Sequence, residues 1–397
     1  MKRISYVALI ALALSCDSTG STGNDVAAPT CTDGQKNGTE SDIDCGGSCG
    51  ACVVGKHCAL AADCTSGTCI AGSCMNPTCT DGVKNGGESD VDCGGSCGAC
   101  ADGKACANPA DCMSSVCSAK TCTAPVCSDG VKNGSETDVD CGGGCPSCVA
   151  GLRCVQNSDC ATGFVCDQTS SVCRNPASCQ ELLSRRPGTL TGTYLLLPAG
   201  VTTPFLANCE MTKDGGGWTM VLKSNGDATL GYGSALWTDT NLLNPTDLSY
   251  SPGNAKFQGF LSVPGGELRG ELDGYSFKLK LAQSQTAQAV FQGPASVSSP
   301  FSVALGTGAN WSVQPNCQTF GVNTPYAYQR TRFGWTANQE ADCNSNDTAI
   351  GLGLGATNTT AQDRGAGYAC LSTNCSQGNV NTGGSGFRQS DTQLSAI

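Results

Sequence analysis

Eight cysteines recur at nearly fixed spacing three times along the chain, and this pattern restricts the fold more than any other feature. The stretch CTDGQKNGTESDIDCGG begins at Cys31 and returns as CTDGVKNGGESDVDCGG at Cys79 and as CSDGVKNGSETDVDCGG at Cys127, so the copies start 48 residues apart. A period of this length indicates one structural unit repeated along the chain. The third copy keeps the first six cysteine spacings and lengthens only the last two, to Cys166 and Cys173.

The cysteines fall into three sets. The repeats hold 24 of the 31 cysteines, six more follow from Cys179 onward, and Cys16 is left over. Even-numbered sets at fixed spacing form disulfides in an oxidising compartment, whereas in a reducing one Cys49-x-x-Cys52 would suggest zinc. The sequence predicts disulfides, and it leaves their connectivity open because eight cysteines allow 105 pairings.

The N-terminus carries the pattern of an export signal. Lys2 and Arg3 precede an apolar run from Val7 to Leu14. The segment Ala13-Leu14-Ser15-Cys16 resembles the lipobox of bacterial lipoproteins, in which the cysteine is acylated and becomes the first mature residue. The resemblance implies a signal peptide over residues 1–15, a lipid on Cys16 as a membrane anchor, and a surface-exposed place in the bacterial cell envelope. The alternative is an ordinary cleaved signal and a secreted protein.

Apolar residues are scarce in the repeats. Those of the first repeat are Ile43, Val53, Val54, Leu60 and Ile70. So little apolar surface cannot form a core, and we therefore expect the cross-links to replace one.

The acidic part of the repeat has two interpretations. Asn37-Gly38 and its equivalents are hairpin-turn dipeptides, since Asn and Gly tolerate the positive φ of a type I′ turn, and the carboxylates beside them would then simply be solvated. The other interpretation is calcium, because a short glycine-rich loop holds four carboxylates and alternation at 42 and 44 would aim two of them the same way. The candidate ligands in the first repeat are Asp33, Glu40, Asp42 and Asp44.

Composition excludes several functions. A chain of 397 residues with net charge −11 has no basic patch for nucleic acid, so we expect no nucleic-acid partner. The only histidine, His57, lies inside a repeat, where a surface position is expected. Without histidine the C-terminal region cannot form a Ser-His-Asp or Cys-His centre, and we expect no enzymatic activity, although carboxylate pairs stay open.

The organisation follows from these patterns. Residues 16–30 are small, polar and turn-rich, which indicates a flexible tether. Repeats occupy 31–78, 79–126 and 127–178, and short Pro-containing junctions such as Met75-Asn76-Pro77-Thr78 favour a semi-rigid stalk. Residues 179–397 form a head that contains all four tryptophans.

The head is expected to be largely β. Tyr275, Phe277, Leu279 and Leu281 alternate with polar residues, as do Phe301, Val303 and Leu305, and both stretches predict half-buried strands. Helices are expected to be few and short, with one over Cys179 to Ser184. The segment Asn338 to Thr360 is rich in Gly, Asn and Thr and is interpreted as a long ordered loop.

The stretch CQELLSRRPGTLTGTYLLLPAGVTTPFLANCEMTKDGGGWTMV, from Cys179 to Val221, resembles the start of the fibrinogen C-terminal domain, shared by fibrinogens, ficolins and, in divergent form, intelectins. The resemblance implies small disulfide-rich repeats followed by an α+β, mainly β, fibrinogen C-terminal-like domain, with Cys179 and Cys209 paired around a short helix and a Gly-x-Tyr strand. The residues that match are Cys179, Gly192, Tyr194, Pro198, Phe205, Cys209, Met211, Asp214, Gly215, Gly216, Gly217, Trp218 and Thr219. The other head cysteines expected in disulfides are Cys317, Cys343, Cys370 and Cys375.

Three glycines before Trp218 let the backbone turn tightly, and a core strand is expected to start at that tryptophan. Beyond Val221 the sequence departs from the vertebrate fibrinogen pattern, in the half where the family's ligand pocket lies.

A later stretch has the ligands of a calcium site. Asp342, Asn344 and Asn346 follow the D-x-N-x-N spacing of a calcium loop, with Asp347 beside them. Asn338 and Glu340 are the alternative ligands. The other interpretation is a loop of Asx turns fixed by Cys343.

The family resemblance implies a lectin-like, calcium-assisted recognition head that binds a carbohydrate or another cell-surface ligand. A structural or adhesive envelope protein that makes protein contacts is the alternative.

Overall fold

The computed structural model describes residues 30–272, 275–298, 319–324, 329–337, 348–356, 364–370 and 392–396. The described residues form two compact units, one that ends at Pro125 and one that starts at Val126. The first unit holds the first two repeats, and the second holds the third repeat together with the head. The protein is mainly β with few helices and with many disulfides in its N-terminal region, which confirms the coarse fold class.

Each repeat has one short 3-10 helix and one small hairpin. The 3-10 helices span Ala61–Asp63, Pro109–Asp111 and Asn157–Asp159. The hairpins pair β1 with β2, β3 with β4 and β5 with β6, in the order Cys69–Ile70, Ser73–Cys74, Cys117–Ser118, Thr121–Cys122, Val165–Asp167 and Val172–Arg174.

Disulfides connect the first cysteine of each repeat with the third, the second with the fourth, the fifth with the seventh and the sixth with the eighth. This resolves the connectivity that the sequence left open and confirms the disulfide prediction. The bonds of the first repeat are Cys31–Cys49, Cys45–Cys52, Cys58–Cys69 and Cys64–Cys74. The same pattern recurs in the second and third repeats.

The core of a repeat consists of cystine, as the scarcity of apolar residues predicts. In the first repeat the buried cluster contains Cys52, Cys58, Cys64 and Cys74. The five aliphatic residues noted above are all exposed, from 44% for Val54 to 67% for Leu60. Cross-links therefore fill the position that packed aliphatic side chains occupy in a larger domain.

The tight turn expected at Asn37-Gly38 is confirmed, but it is not the turn of a hairpin. The two residues do lie in a tight turn, closed by the N–H of Glu40 donating to the Asn37 carbonyl at 3.2 Å, and Gly38 has φ 59. No hairpin of described strands flanks that turn. The hairpin of the first repeat instead turns at Ala71-Gly72, with φ 50 and 79, because the pair of strands lies at the second end of the repeat.

Hydrogen bonds fix the junction between the first two repeats. The Thr68 hydroxyl donates to Asp81 Oδ2 at 3.2 Å, and the amide of Asn85 donates to both of those side chains. The N–H of Met75 also bonds back to the Thr68 carbonyl at 3.1 Å. Hydrogen bonds to Thr68 therefore hold both Met75, where the linker begins, and the start of the second repeat, at Asp81 and Asn85.

The helices and strands of the head are α1 Cys179–Arg185, β7 Gly192–Leu196, β8 Phe205–Glu210, β9 Trp218–Ser224, β10 Ala255–Lys256, α2 Gln258–Ser262, β11 Gly265–Leu272, β12 Tyr275–Gln285, α3 Ala287–Gln292, β13 Ser296–Ser298, β14 Thr319–Val322, β15 Gln329–Ala337, β16 Thr348–Ala356, β17 Arg364–Cys370 and β18 Thr392–Ala396. One sheet has the order β12-β11-β18-β9-β8-β7, with β10 also paired to β9. The other runs β13-β14-β15-β16-β17. The described pairings are all antiparallel.

Aromatic side chains join the two sheets. Phe277 of β12 lies 4.9 Å from the ring of Phe333 and 4.6 Å from that of Trp335, both on β15. Phe320 of β14 packs into the same group. The alternation from Tyr275 onward is therefore confirmed as a strand whose Phe277 side chain faces the core.

The expected strand at Trp218 is also confirmed. All seven residues of β9 are buried, and the strand lies inside its sheet between β8 and β18. The turn before it needs glycine, since Gly216 has φ 73 and a Cβ there would lie 2.1 Å from the Met211 carbonyl oxygen. Helix α1 likewise agrees with the predicted helix.

The single long loop expected over Asn338 to Thr360 is wrong, because β16 occupies part of it. Ile350, Leu352 and Leu354 alternate with glycines, and the leucines are buried in that strand. The glycines lie opposite those of neighbouring strands, with Gly334 facing Gly351 and Gly351 facing Gly367. Glycine therefore marks close strand packing here and does not indicate a loop.

Several expectations lie outside the described residues. These include the signal and tether, the strand at Phe301, Val303 and Leu305, and the cysteines Cys16, Cys317, Cys343 and Cys375. None of the helices in the described ranges has both the length and the apolar character that a bilayer span requires.

Candidate functional site

The calcium site expected in the head falls on a stretch of sequence between two described strands. Its residues Asn338, Glu340, Asp342, Asn344, Asn346 and Asp347 lie outside the described residues. The strands on either side of it are described: β15 ends at Ala337, β16 begins at Thr348, and these two residues are directly paired.

Five carboxylates recur at equivalent positions of every repeat, and each accepts hydrogen bonds from main-chain N–H groups. In the first repeat they belong to Asp33, Glu40, Asp42, Asp44 and Asp63. Their counterparts make the same kind of bond in the other repeats: Asp81, Glu88, Asp90, Asp92 and Asp111, then Asp129, Glu136, Asp138, Asp140 and Asp159.

Asp33 and Asp44 close the acidic loop. Both oxygens of Asp44 accept the N–H of Gly34, at 2.9 and 3.1 Å. Asp33 accepts the N–H of Gln35 at 2.9 Å and the side-chain amide of Asn37 at 2.8 Å. These carboxylates hold a segment that has little regular secondary structure, so they are not simply solvated.

Asp42 ties the acidic loop to the second half of its repeat. Its carboxylate accepts the N–H of His57 at 2.6 Å and that of Ile43 at 2.6 Å, with Lys56 at 3.6 Å. The His57 bond, followed by the Ile43 bond, lowers the pKa of Asp42. The expected alternation at 42 and 44 is wrong, since Asp44 has φ 57 and the two carboxylates bind different partners. His57 itself is exposed, as expected.

Asp63 is the most enclosed of these acceptors. It is 6% exposed and receives N–H bonds from Gly47 at 2.9 Å, Ala59 at 2.8 Å and Leu60 at 3.0 Å. These donors, with Gly47 first, lower its pKa to about 2. The carboxylate is therefore ionised at any neutral or mildly acidic pH, and it replaces a backbone acceptor for three donors.

Each repeat also places a glutamate against its most exposed disulfide. Glu40 is 9% exposed, and its Oε1 lies 3.4 Å from Cys49 Sγ, which is bonded to Cys31. The corresponding distances are 3.3 Å at Glu88 and 3.5 Å at Glu136. The contact recurs at the same place in three copies, so it is a regular structural feature of the repeat.

Groups of cysteines lie close enough to hold a metal ion, for instance Cys58, Cys64 and Cys74. These sulfurs are already in disulfides, Cys58 with Cys69 and Cys64 with Cys74. A disulfide sulfur lacks the negative charge that makes a thiolate a zinc ligand. The oxidised repeats therefore fit cross-linking and do not offer thiolate ligands.

In the head, the matched residue Asp214 belongs to an ion-pair network. Its Oδ2 lies 2.6 Å from Arg269 Nε, Arg269 lies 2.9 Å from Glu271, and Glu271 lies 2.9 Å from Lys213. Arg269 is 4% exposed, and its hydrogen bond lowers the pKa of Asp214. The network therefore attaches the glycine turn that contains Asp214 to strand β11.

Two buried lysines hold other loops of the head. Lys256 is fully buried, and its Nζ lies 2.8 Å from the carbonyl oxygen of Asp239 and 3.0 Å from its carboxylate. Burial lowers the pKa of Lys256, against the effect of Asp239. Lys223 bonds to Ser249 and Asp247 in the same manner.

Sequence reasoning missed Asp63 with its two counterparts, and it missed the buried cations. The signal for the aspartates was available, because Asp63, Asp111 and Asp159 are identical at the 48-residue period. Lys223 and Lys256 gave none, since their loops are distant in sequence.

No protein-family model matches the chain, and no curated protein matches it in sequence.

Proposed function

We propose that the protein is a non-enzymatic recognition lipoprotein of the bacterial cell envelope, in which disulfide-cross-linked repeats present a fibrinogen-like head. The observation that carries the proposal is the cystine core of the repeats. A chain that depends on cystine for its core is stable only outside a reducing compartment. This supports export, and with it the interpretation of Cys16 as a lipidated N-terminus.

The opening of the head supports the fibrinogen-like interpretation. Cys179 is bonded to Cys209, and the bond encloses helix α1 and strand β7, followed by the glycine turn and β9. This order agrees with the opening that the family resemblance implies. Cys370 lies at the end of β17, and it completes the set of head cysteines proposed for disulfides with Cys317, Cys343 and Cys375.

Calcium binding is proposed for the loop that connects β15 to β16. Asp342, Asn344, Asn346 and Asp347 supply the hard oxygen ligands that calcium prefers, with Asn338 and Glu340 as alternatives. We propose that calcium held by these residues forms the ligand surface of the head. We propose a carbohydrate as the ligand of that surface.

The test is a glycan array probed with the full chain, in calcium and in chelator. We expect binding that calcium supports and that Asp342→Ala with Asp347→Ala abolishes. Calcium at a hundred times its Kd should also stabilise the head by roughly 2.7 kcal/mol, seen as a higher melting temperature by tryptophan fluorescence. The control is Asp42→Ala with Asp44→Ala in the first repeat, which should leave the calcium effect on the head in place.

The outcomes separate the candidates. A calcium effect that survives in the head variant but disappears in the repeat variant would move the metal to the repeat carboxylates Asp33, Glu40, Asp42 and Asp44. Binding to no glycan in either condition would contradict the lectin-like proposal.

A structural or adhesive protein is the second candidate, favoured by one observation. Each repeat exposes an aliphatic residue at the same position: Ile43 at 45%, Val91 at 37% and Val139 at 46%. An apolar side chain repeated at fixed spacing suits contacts with another protein. Binding to envelope proteins without any glycan signal would support this candidate.

A further inference from the structure

The third repeat differs from the other two where it meets the head. Between the sixth and seventh cysteines the first repeat has four residues, from Cys64 to Cys69, whereas the third has five, from Cys160 to Cys166. The loop before the last cysteine is also longer. Strands β5 and β6 each have three residues, one more than their counterparts. The longer cysteine spacing of the third repeat is therefore accompanied by a longer hairpin.

The residue before the seventh cysteine of the third repeat packs into the head. Val165 has no exposed surface and belongs to one buried cluster with Cys179, Leu182 and Leu196. All members of that cluster except Val165 come from the head. The residue before the seventh cysteine is Thr68 in the first repeat and Val116 in the second.

An arginine of the head binds the main chain of the third repeat. Arg186 Nη1 lies 2.7 Å from the carbonyl oxygen of Cys160 and within 3.2 Å of those of Asn157, Ala161 and Phe164. A hydrogen bond also runs in the opposite direction, from the side-chain amide of Asn157 to the carbonyl oxygen of the neighbouring Arg185, at 2.8 Å. One guanidinium thus binds four main-chain carbonyls of the third repeat, two of which, those of Asn157 and Ala161, also accept main-chain N–H groups.

An ion pair crosses the same boundary. Arg174, at the end of β6, forms a bidentate pair with Glu181 of α1, at 2.6 and 3.2 Å. The N–H of Ala177 also donates to Glu181 at 2.7 Å. The first turn of α1 is therefore bound to the last strand of the repeat.

We infer that the third repeat is a docked part of the head fold and not a third copy of the stalk module. The head then depends on this repeat for its stability, and the stability of the head changes when the third repeat is opened but not when the first is. The interaction surface consists of Val165, Arg174 and the carbonyls around Cys160 on one side, and of α1, Arg186 and β7 on the other.

The first test removes equivalent disulfides in the full chain. Cys154→Ser with Cys166→Ser opens the third repeat, and Cys58→Ser with Cys69→Ser opens the matching bond of the first. All four tryptophans lie in the head, so their fluorescence reports its unfolding alone. We expect the head midpoint to fall by about 5 °C in the first variant and to stay in place in the second.

A milder pair of variants covers the case in which the opened protein does not fold. Arg186→Ala should lower the head midpoint and accelerate amide exchange in α1 at least about tenfold. Arg185→Ala is the matched control, because its side chain is exposed and the bond to its carbonyl remains. An Arg186→Ala head that melts and exchanges like the Arg185→Ala head would overturn the inference, as would equal midpoints in the two disulfide variants.

Discussion

At the scale of single residues, the carboxylates of the repeats act as hydrogen-bond acceptors for main-chain N–H groups. Asp63 accepts three main-chain donors while almost fully enclosed, and Asp111 and Asp159 do the same. Regular helices and sheets satisfy their own N–H groups, but a repeat with hairpins of only a few residues cannot. Carboxylates are the substitutes, because an ionised oxygen forms a stronger bond than a neutral carbonyl.

Acid should loosen this arrangement in a defined pH window. The pKa of Asp63 is about 2 in the folded repeat and 3.8 for the free group, so the carboxylate stabilises the repeat fully above pH 3.8. That contribution is lost as the pH falls towards 2. We expect the exchange protection of the Gly47, Ala59 and Leu60 amides, measured by NMR, to fall over this interval. Asp63→Asn should weaken that protection already at neutral pH and remove the acid step.

The second repeat supplies the internal control for that experiment. The amides of Gly95, Ala107 and Asn108 bond to Asp111 in the same way, and they should keep their protection at neutral pH in the Asp63→Asn protein. If the Gly47, Ala59 and Leu60 amides of the wild type keep constant exchange protection between pH 4 and 2, the role assigned to the Asp63 carboxylate is contradicted.

At the scale of elements, the turn before β9 sets the start of the central strand. We expect Gly216→Ala to destabilise the head by about 3 kcal/mol or more, because the residue has positive φ and the new Cβ would strike the Met211 carbonyl. Gly215→Ala is the matched control, since Gly215 has φ 96 but open space around it, and it should cost about 1–2 kcal/mol. Tryptophan fluorescence in denaturant measures both, and equal costs would contradict the steric explanation.

The elements differ in how far sequence predicts them. Strand β12 follows from its alternation, and β9 follows from the glycine turn and Trp218, since both patterns are local. Strand β16 was hidden because glycine, usually a loop signal, fills every second position between Ile350 and Leu354. The period of two was present, but the apolar residues alternate with glycine and not with polar residues.

Contacts between distant segments were beyond the sequence. Nothing near Arg186 indicates that its guanidinium binds carbonyls of the preceding repeat, and the lengthened spacing between Cys160 and Cys166 gave the only hint. The disulfide pairing is similar, because spacing alone does not select one of many connectivities. Local periodicity is readable, whereas long-range packing needs coordinates.

At the scale of the whole molecule, two kinds of core stabilise one chain. Cystine fills the repeats, and aromatic and aliphatic side chains fill the head. A reductant should therefore act mainly on the repeats.

The proposed anchor is tested on the intact protein. We expect Cys16→Ser to leave an unprocessed or soluble product, because only the cysteine thiol can receive the diacyl group, while the wild type partitions into detergent. Asp17→Asn keeps the cysteine and should partition like the wild type. Unchanged detergent partitioning of the Cys16→Ser protein would exclude the lipidated N-terminus.

The fit of the third repeat to the head also bears on how such a gene can change. Tandem copies that encode nearly the same sequence misalign during recombination, and whole units are then gained or lost in a single event. A gain or loss among the first two copies leaves the junction at Val165 and Arg186 intact. The same event at the third copy would remove the surface on which we infer that the head depends, so we expect variation in copy number only upstream of Cys127.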